Sequence, residues 1–517
     1  MKKNNPDQAA ELNKQKNSAA ADVNSPEGRV PLKENLAIGS GALAAFYGFD
    51  GVGRMALPVY NILLGLPAQW VSLALMLPRL WDAITDPVMG IISDNARTRW
   101  GRRRPFIVIG ALLMGVFFAL IWQVESVWLL LPESWQNGLG FDRYALFWLI
   151  AMQILYFTAY TVFSVPYNAL TYEMTPDYRE RNRVMSFVGF FHKLGELTSG
   201  WAIPLATAIS IILAADAGGL SMAGVVAVGW LIGLFVMGGM GSLPGIIVRE
   251  RFQKQPTERK VRIWKSLQGA FSSLPFLILM AVIVLNTLAG VLASGIDQYV
   301  LIYYMNDGDF AAGMIQKGLL TTGYGVMGFV SIPLISWLAG KLDKKGALYF
   351  VYGLMLVGSI MKWFIFRPGH PLFTVFGVTF DPIILIDPLL CGPMWVAVKI
   401  LLASMMADIC DEDELKHGQR REGIFGAAFS WVEKILVSVA YAGAGLALWA
   451  AGFDLNLGGQ QTAETFTKMR LFLSGAPALS SLFAIIALYF YPIDEKRANA
   501  TREQLEARRG SIDGSRG

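Results

Sequence analysis

Residues 70–94 read WVSLALMLPRLWDAITDPVMGIISD, an apolar run long enough to cross a hydrocarbon core about 30 Å thick, yet interrupted by Arg79, Asp82 and Asp86. An ionisable residue at such depth costs roughly 2.5–3.5 kcal/mol or more, so each of the three must face protein or water and not lipid. The surrounding chain repeats the pattern. Of 517 residues 54% are apolar, and charged residues make up only 16%, where a soluble protein carries about 25%. That composition excludes a soluble enzyme and implies a polytopic membrane protein. Two cysteines, Cys391 and Cys410, and three histidines, His192, His370 and His417, are too few and scattered for a disulfide framework or a zinc cluster, so no structural metal is expected. The net charge of +5 is assigned to cytoplasmic loops and not to a nucleic-acid partner.

Outward from 70–94, apolar runs fall near 36–64, 105–123, 145–173, 185–214, 221–248, 274–305, 312–340, 347–366, 382–407, 423–452 and 469–491, making twelve expected spans. The fold class expected is therefore an all-α membrane protein of two pseudo-symmetric six-helix bundles. Its parts are a disordered N-tail (1–34), a first bundle (35–248), a central loop (249–272), a second bundle (273–492) and a C-tail (493–517). Lys and Arg concentrate after even-numbered spans, as in Arg97 to Arg104, Arg179 to Arg183, the seven between Arg249 and Lys265, Lys341 to Lys345, and Lys416 to Arg421. Positive charge stays inside, so both termini are expected in the cytoplasm, and the N-tail has no apolar core of a secretory signal. The loop Gly90-x-x-x-Asp94…Gly101-Arg-Arg-Arg104 is echoed by Gly340-Lys-Leu-Asp343-Lys-Lys-Gly346, and Asp177…Arg181 by Asp408…Arg421, as a duplicated six-helix unit would leave.

The remaining intramembrane charges are few. Asp82 and Asp86 are four apart on one helical face, where two hard carboxylates suit a shared Na⁺ or H⁺. The alternative is that either acid pairs with Arg79, or with Lys434 of the eleventh span, as a structural salt bridge. Asp50 and Arg54 share the same spacing and can neutralise one another; Glu196 can reach His192 and Lys193. Lys399, Lys193 and His192 are read as snorkelling toward helix ends, and Trp431, one turn before Lys434, as a residue that stacks on a ligand.

The segment Arg79-Leu-Trp-Asp82-Ala-Ile-Thr-Asp86-Pro-Val-Met-Gly90, followed by Arg97-Thr-Arg-Trp-Gly-Arg-Arg-Arg-Pro105, resembles the signature of the glycoside–pentoside–hexuronide:cation symporters, the melibiose-permease-like branch of the major facilitator superfamily. Val165-Pro-Tyr-Asn168, Ala407-Asp408-Ile with Lys434 26 residues beyond that Asp, and Tyr491-Pro…Lys496-Arg497 extend the likeness across both halves. The resemblance implies two bundles with a mid-membrane site between them, reached alternately from either side. It implies a cation site at Asp82 and Asp86 with Thr85 and Thr161, linked to the sugar by Lys434, and a basic residue near the sugar at Arg54. The sugar-binding positions differ: Met55, Ser164, Asn168 and Gly189 stand where galactoside carriers of the family have two acids, an aromatic and a basic residue. The coupling machinery thus looks retained and the sugar site rebuilt.

The expected function is symport of a sugar, glycoside or sugar acid with Na⁺ or H⁺, with no cofactor beyond the coupling cation. Asp50, Arg54, Ser164, Asn168, Glu196, Gln298, Ser430 and Trp431 are the candidates for the substrate pocket. Asp94, Arg102, Arg103 and Arg104, with Asp177 and Arg181, are the candidates for a cytoplasmic gate that bridges to the loop after the fourth span or to the eleventh span. A carrier of a lysolipid-like amphipath is the alternative. A membrane enzyme would need a constellation such as HExxH, and none is present in the sequence. The protein is expected to act as a monomer in a bacterial inner membrane, with the bilayer and a small molecule, and no nucleic acid, as partners.

Overall fold

The computed structural model describes residues 29–175, 177–213, 219–250, 271–375, 378–418 and 422–509. The expected disordered tail up to residue 28 and most of the central loop, 251–270, lie outside the described residues, as do Arg420 and Arg421. The first half is built of α1 (Leu32–Ala56, extended by a π-helix over Leu57–Leu63), α2 (Ala68–Asn95), α3 (Arg104–Ile121), α4 (Phe141–Glu173), α5 (Tyr178–Ser199, followed by Ala202–Leu213) and α6 (Met222–Leu231, running through a π-helix, Ile232–Met240, into Gly241–Ile247). The second half comprises α7 (Leu274–Tyr299, with a π-helical end Val300–Met305), α8 (Phe310–Ile365), α9 (Ile386–His417), α10 (Glu422–Ala451) and α11 (Ala463–Tyr489), before a final α12 (Glu495–Arg509).

Among the described residues eight helices are long and apolar enough to cross a membrane, or nine if the two pieces bent by 50° after α5 form one span. The difference from twelve has identifiable causes. Helices α1 and α2 fall outside that set, and they carry Asp50 with Arg54 and Arg79 with Asp82 and Asp86. Helix α8 merges the expected spans 312–340 and 347–366 across a single break at Asp343, whose φ is 61°. With ψ at 177° this backbone lies outside the left-handed helical well, in a region adopted almost only by glycine, and the Asp343 carboxylate accepts the Gly346 amide at 2.6 Å, capping the second arm. The two arms therefore meet with almost no loop. A two-stranded hairpin, Phe373–Val375 with Val378–Phe380, precedes α9 and was not expected from the apolar pattern. The expected C-tail is largely α12, which buries Leu505 and pairs Arg497 with Glu412 at the end of α9.

Close helix contacts use the absence of a side chain. A Cβ at Gly115 would collide with the Gly233 carbonyl, so α3 lies directly on the π-helical segment of α6. Likewise Gly445 of α10 meets Ser72 and the Ala68 carbonyl of α2, and this seam joins the two halves. A second seam runs between α5 and α8, where Trp201 donates to Thr322 at 2.8 Å and Gly325 lies against Leu197.

The halves are joined most fully at the face opposite the charged loops. There Tyr299 donates to Asn61 at 2.6 Å, and Tyr299, Val300, Ala447 and Met469 share one apolar core with α1 and α2. Toward the charged-loop face the second half has a separate core, made of residues such as Phe276, Tyr352, Leu401 and Phe425. Arg79 fastens α2 to this frame: it donates to the Phe49 carbonyl at 2.6 Å, and its guanidinium lies 4.3 Å from the Tyr441 ring and 4.9 Å from that of Phe49. Because a lysine cannot both fork and stack, Arg79→Lys is expected to cost about 1–2 kcal/mol, read as a lower melting temperature of the purified protein with α2 still folded.

Candidate functional site

Helix α2 carries Asp82, Thr85 and Asp86 one turn apart, and the neighbouring helices decide how they are used. Lys434 reaches across from α10 in the other half, donating to Asp82 Oδ2 at 2.8 Å and to Asp86 Oδ2. Thr161 of α4 donates to Asp82 Oδ1 at 2.7 Å, and its hydroxyl is 3.1 Å from that of Thr85. The five residues expected at the cation site are therefore in one cluster. Of the partners open to Asp82, the structure selects Lys434; Arg79 is engaged elsewhere, as described above. Asp82 is 3% exposed and the Asp86 side chain 28%, so the pair is reached from the Asp86 side. Two carboxylates and one ammonium leave one net negative charge. Asp86 Oδ1 is buried without a hydrogen-bond partner, a spare hard oxygen of the kind that a proton or Na⁺ would take.

The substrate candidates divide. Asp50 and Arg54 form an ion pair, and Tyr441 of α10 donates to Asp50 Oδ1 at 2.9 Å, so this cluster also spans the halves. Glu196 is held by Lys193 at 2.7 Å. Ser164 is buried near Tyr160, whereas Asn168, Ser430 and Trp431 are exposed. Gln298 is buried, with its amide donating to the Gly295 carbonyl of its own helix at 3.3 Å, and the structure does not bring it to the others.

The gate candidates meet the end of the fourth expected span. Arg103 bridges Asp94 at 3.1 Å and Glu173 at 2.9 Å, Arg102 adds a second contact to Glu173, and the Glu250 carboxylate accepts the backbone amides of Arg102, Arg103 and Arg104. All these partners belong to the first half. Of the two bridges expected as alternatives, the one toward the fourth span forms through Glu173, and among the described residues none reaches the eleventh span; the loop ties α2, α3, α4 and the end of α6 together. Asp177 caps α5 by accepting the Glu180 amide, and Arg181 donates to the Thr175 carbonyl, so both act locally. Lys344 with Asp408 (2.6 Å), and Arg497 and Lys416 with Glu412, do equivalent work in the second half. Since Arg103 is buried and Asp94 is 59% exposed, Glu173→Gln is expected to lower stability by about 1.5–3 kcal/mol and slow transport, while Asp94→Asn changes stability by less than about 1 kcal/mol. Thermal melting beside initial uptake rates checks both.

A sequence model described as MFS/sugar transport protein matches residues 37–495. The chain belongs to this family. The isoprimeverose transporter of Lactiplantibacillus pentosus is 24% identical over 490 residues, covering 93% of this chain and 94% of that protein. The sodium-dependent lysophosphatidylcholine symporter 1 of Mus musculus is also 24% identical, over 86% of this chain and 82% of its own length. Among solved structures, the inward-facing bacterial homolog of the human lysosomal transporter Spinster shares the fold, with a TM-score of 0.60, 13% identity and coverage of 93% of this chain.

Within this member of the MFS/sugar transport protein family, three residues near the site escaped the sequence reading. Tyr441 received no role and joins Asp50 to α10. Glu433, beside Lys434, received no role. Lys399, expected to snorkel from a helix end, instead sits near the middle of the 32-residue α9 and is exposed there. It lies within electrostatic reach of His192 on α5 and Glu433 on α10, which places it toward the other half and not toward lipid. The available signal was its distance from both ends of an apolar run.

Proposed function

We propose that the chain is a secondary active transporter that carries a sugar, glycoside or sugar acid together with Na⁺ or H⁺ by alternating access. The observation that supports this most is Lys434 from the second half lying between two acids of the first. With one net negative charge, the cluster attracts one cation. A cation held by Asp82 and Asp86, with Thr85 and Thr161 beside them, competes with the Lys434 ammonium, and so loosens a contact that ties the halves together. Cation binding is then linked to the relative position of the halves, and so to the side on which substrate is reached. We further propose twelve spans in two bundles, both termini cytoplasmic, and function as a monomer in a bacterial inner membrane.

For the substrate, Asp50, Arg54, Ser164, Asn168, Glu196, Ser430 and Trp431 remain the proposed contacts, and Lys399 joins them. An exposed lysine in mid-helix within electrostatic reach of His192 favours a ligand with a carboxylate, as in a hexuronide, with Glu433 available to a hydroxyl. Competition against uptake of a labelled glucuronide in proteoliposomes tests this. Unlabelled hexuronates are expected to compete best, neutral glycosides less well, and Lys399→Gln is expected to remove the difference. Displacement by lysophosphatidylcholine alone would overturn the sugar reading.

A further inference from the structure

The second half carries an ion pair inside its apolar helices that the site above does not use. Lys317 of α8 donates to both carboxylate oxygens of Asp297 of α7 at 2.6 Å. The same ammonium lies 3.3 Å from the Ser294 carbonyl and 3.4 Å from its hydroxyl, one turn back along α7. This pair is not sealed: the Asp297 side chain is 10% exposed, that of Lys317 12%, and Ser294 is exposed beside them. A charge bare to hydrocarbon is costly, so the open side of the pair faces water or a ligand and not lipid. The neighbouring pair, Asp387 with Lys362, is shut in, with no exposed surface on Asp387.

Its place in the fold matches that of Asp50 and Arg54. Helices α1 and α7 open the two halves, and each passes into a π-helical end, Leu57–Leu63 in one and Val300–Met305 in the other. Arg54 stands three residues before the first of these segments and Asp297 three before the second. Arg54 is nine residues from Leu63, Asp297 eight from Met305 and Lys317 seven from Phe310. At about 1.5 Å per residue all three lie about 10–14 Å in from the face where the halves are joined. Lys317 is within electrostatic reach of Arg54, so one ion pair from each half approaches the other across the plane between them. The four charges cancel, and nothing is left over to attract a further ion. What the pair offers is an acceptor beside a donor, the complement of two adjacent hydroxyls. Lys317 can exchange its long contact with the Ser294 hydroxyl for a ligand oxygen, while Asp297 accepts from the neighbouring hydroxyl.

We propose that Asp297 and Lys317 are specificity-determining residues of the second half, taking two adjacent hydroxyls of a sugar across from Asp50 and Arg54. This rests on the reading of the chain as a carrier of a sugar, glycoside or sugar acid, and assigns the pair to the hydroxyls, leaving a carboxylate to Lys399. A buried ion pair is a poor device for holding two helices together, because apolar residues of similar size do it equally well. As a reader of hydroxyls it rejects a ligand that lacks one, since the charged partner is then left with nothing in exchange.

Proteoliposomes of the full-length protein and radiolabelled methyl glucuronide test this. If the wild type takes up no glucuronide, the sugar reading fails and the proposal fails with it. Given uptake, Asp297→Leu/Lys317→Met, which removes both charges and leaves neither stranded, is expected to raise KM at least about tenfold, with kcat for counterflow changed by less than about threefold. The decisive readout is competition by singly deoxygenated methyl glucuronides. In the wild type at least one of them is expected to compete about tenfold less well than the parent, and in the double variant that disadvantage disappears. A pair that merely fastens α7 to α8 would lower the melting temperature and leave the ranking of competitors unchanged; that result overturns the proposal and leaves the sugar reading standing. Should the double variant not fold, Ser294→Cys decides, because it keeps both charges and the native Cys391 and Cys410 are buried. A hydrophilic maleimide is expected to label the purified Ser294→Cys protein, and saturating methyl glucuronide to slow that labelling severalfold. No labelling, or labelling indifferent to the glucuronide, rejects the site.

Discussion

Asp82→Asn and Asp86→Asn are each expected to abolish gradient-driven accumulation while leaving substrate exchange at equilibrium. The reason is charge arithmetic at the triad. With both acids and Lys434 present, one negative charge is left for a cation; with either acid neutralised, Lys434 balances the other and nothing remains to attract the ion. With no net charge left to hold the ion, concentrative uptake is expected to fall at least about a hundredfold, equivalent to about 3 kcal/mol of lost cation binding. Exchange survives because the proposed substrate contacts around Arg54 and Lys399 are intact. Uptake and counterflow measured on the same proteoliposomes separate the two effects, and concentration at the wild-type rate in both mutants would show that the acids are not the coupling site.

The second large effect runs in the opposite direction. Lys434→Met leaves Asp82 and Asp86 with two uncompensated negative charges in a largely buried place. Such a site is expected to bind Na⁺ or protons more tightly, by at least about tenfold in apparent affinity or about 1.4 kcal/mol, because like charges at this distance cannot both stay bare. Net transport is nevertheless expected to be lost, since the bound cation no longer competes with an ammonium from the other half and no longer reports to it. Cation-dependent protection against thermal unfolding measures the affinity. Weaker cation protection in Lys434→Met than in wild type would contradict the arrangement.

These residues were legible in the sequence to different degrees. Asp82, Asp86 and Lys434 stood out because a charge inside an apolar run is costly wherever it occurs, and the family resemblance placed Thr85 and Thr161 with them. Spacing could not choose between Arg79 and Lys434 as the partner of Asp82, because i, i+3 proximity on one helix says nothing about a residue 352 positions away. The partners of the expected gate were left open between two places for a related reason. Arginines in a loop advertise charge but not the helix that supplies the counter-ion, and Glu173 and Glu250 come from the same half. Lys362 received no role in the sequence reading, and only the approach of Asp387 from α9 shows it to be paired and buried. The break at Asp343 falls in the polar gap 341–346 that separated two expected spans; what spacing did not show is that helix continues on both sides of it almost without a loop.

Cation movement triggered by substrate is the most direct measure of whether the triad couples the two. In proteoliposomes loaded without substrate and holding no gradient, addition of a transported glycoside or hexuronate outside should start an inward flux of Na⁺ or H⁺ in the wild type, and no flux in Asp82→Asn or Asp86→Asn. Substrate entry that moves neither ion, or an undiminished ion flux in both variants, would contradict the account.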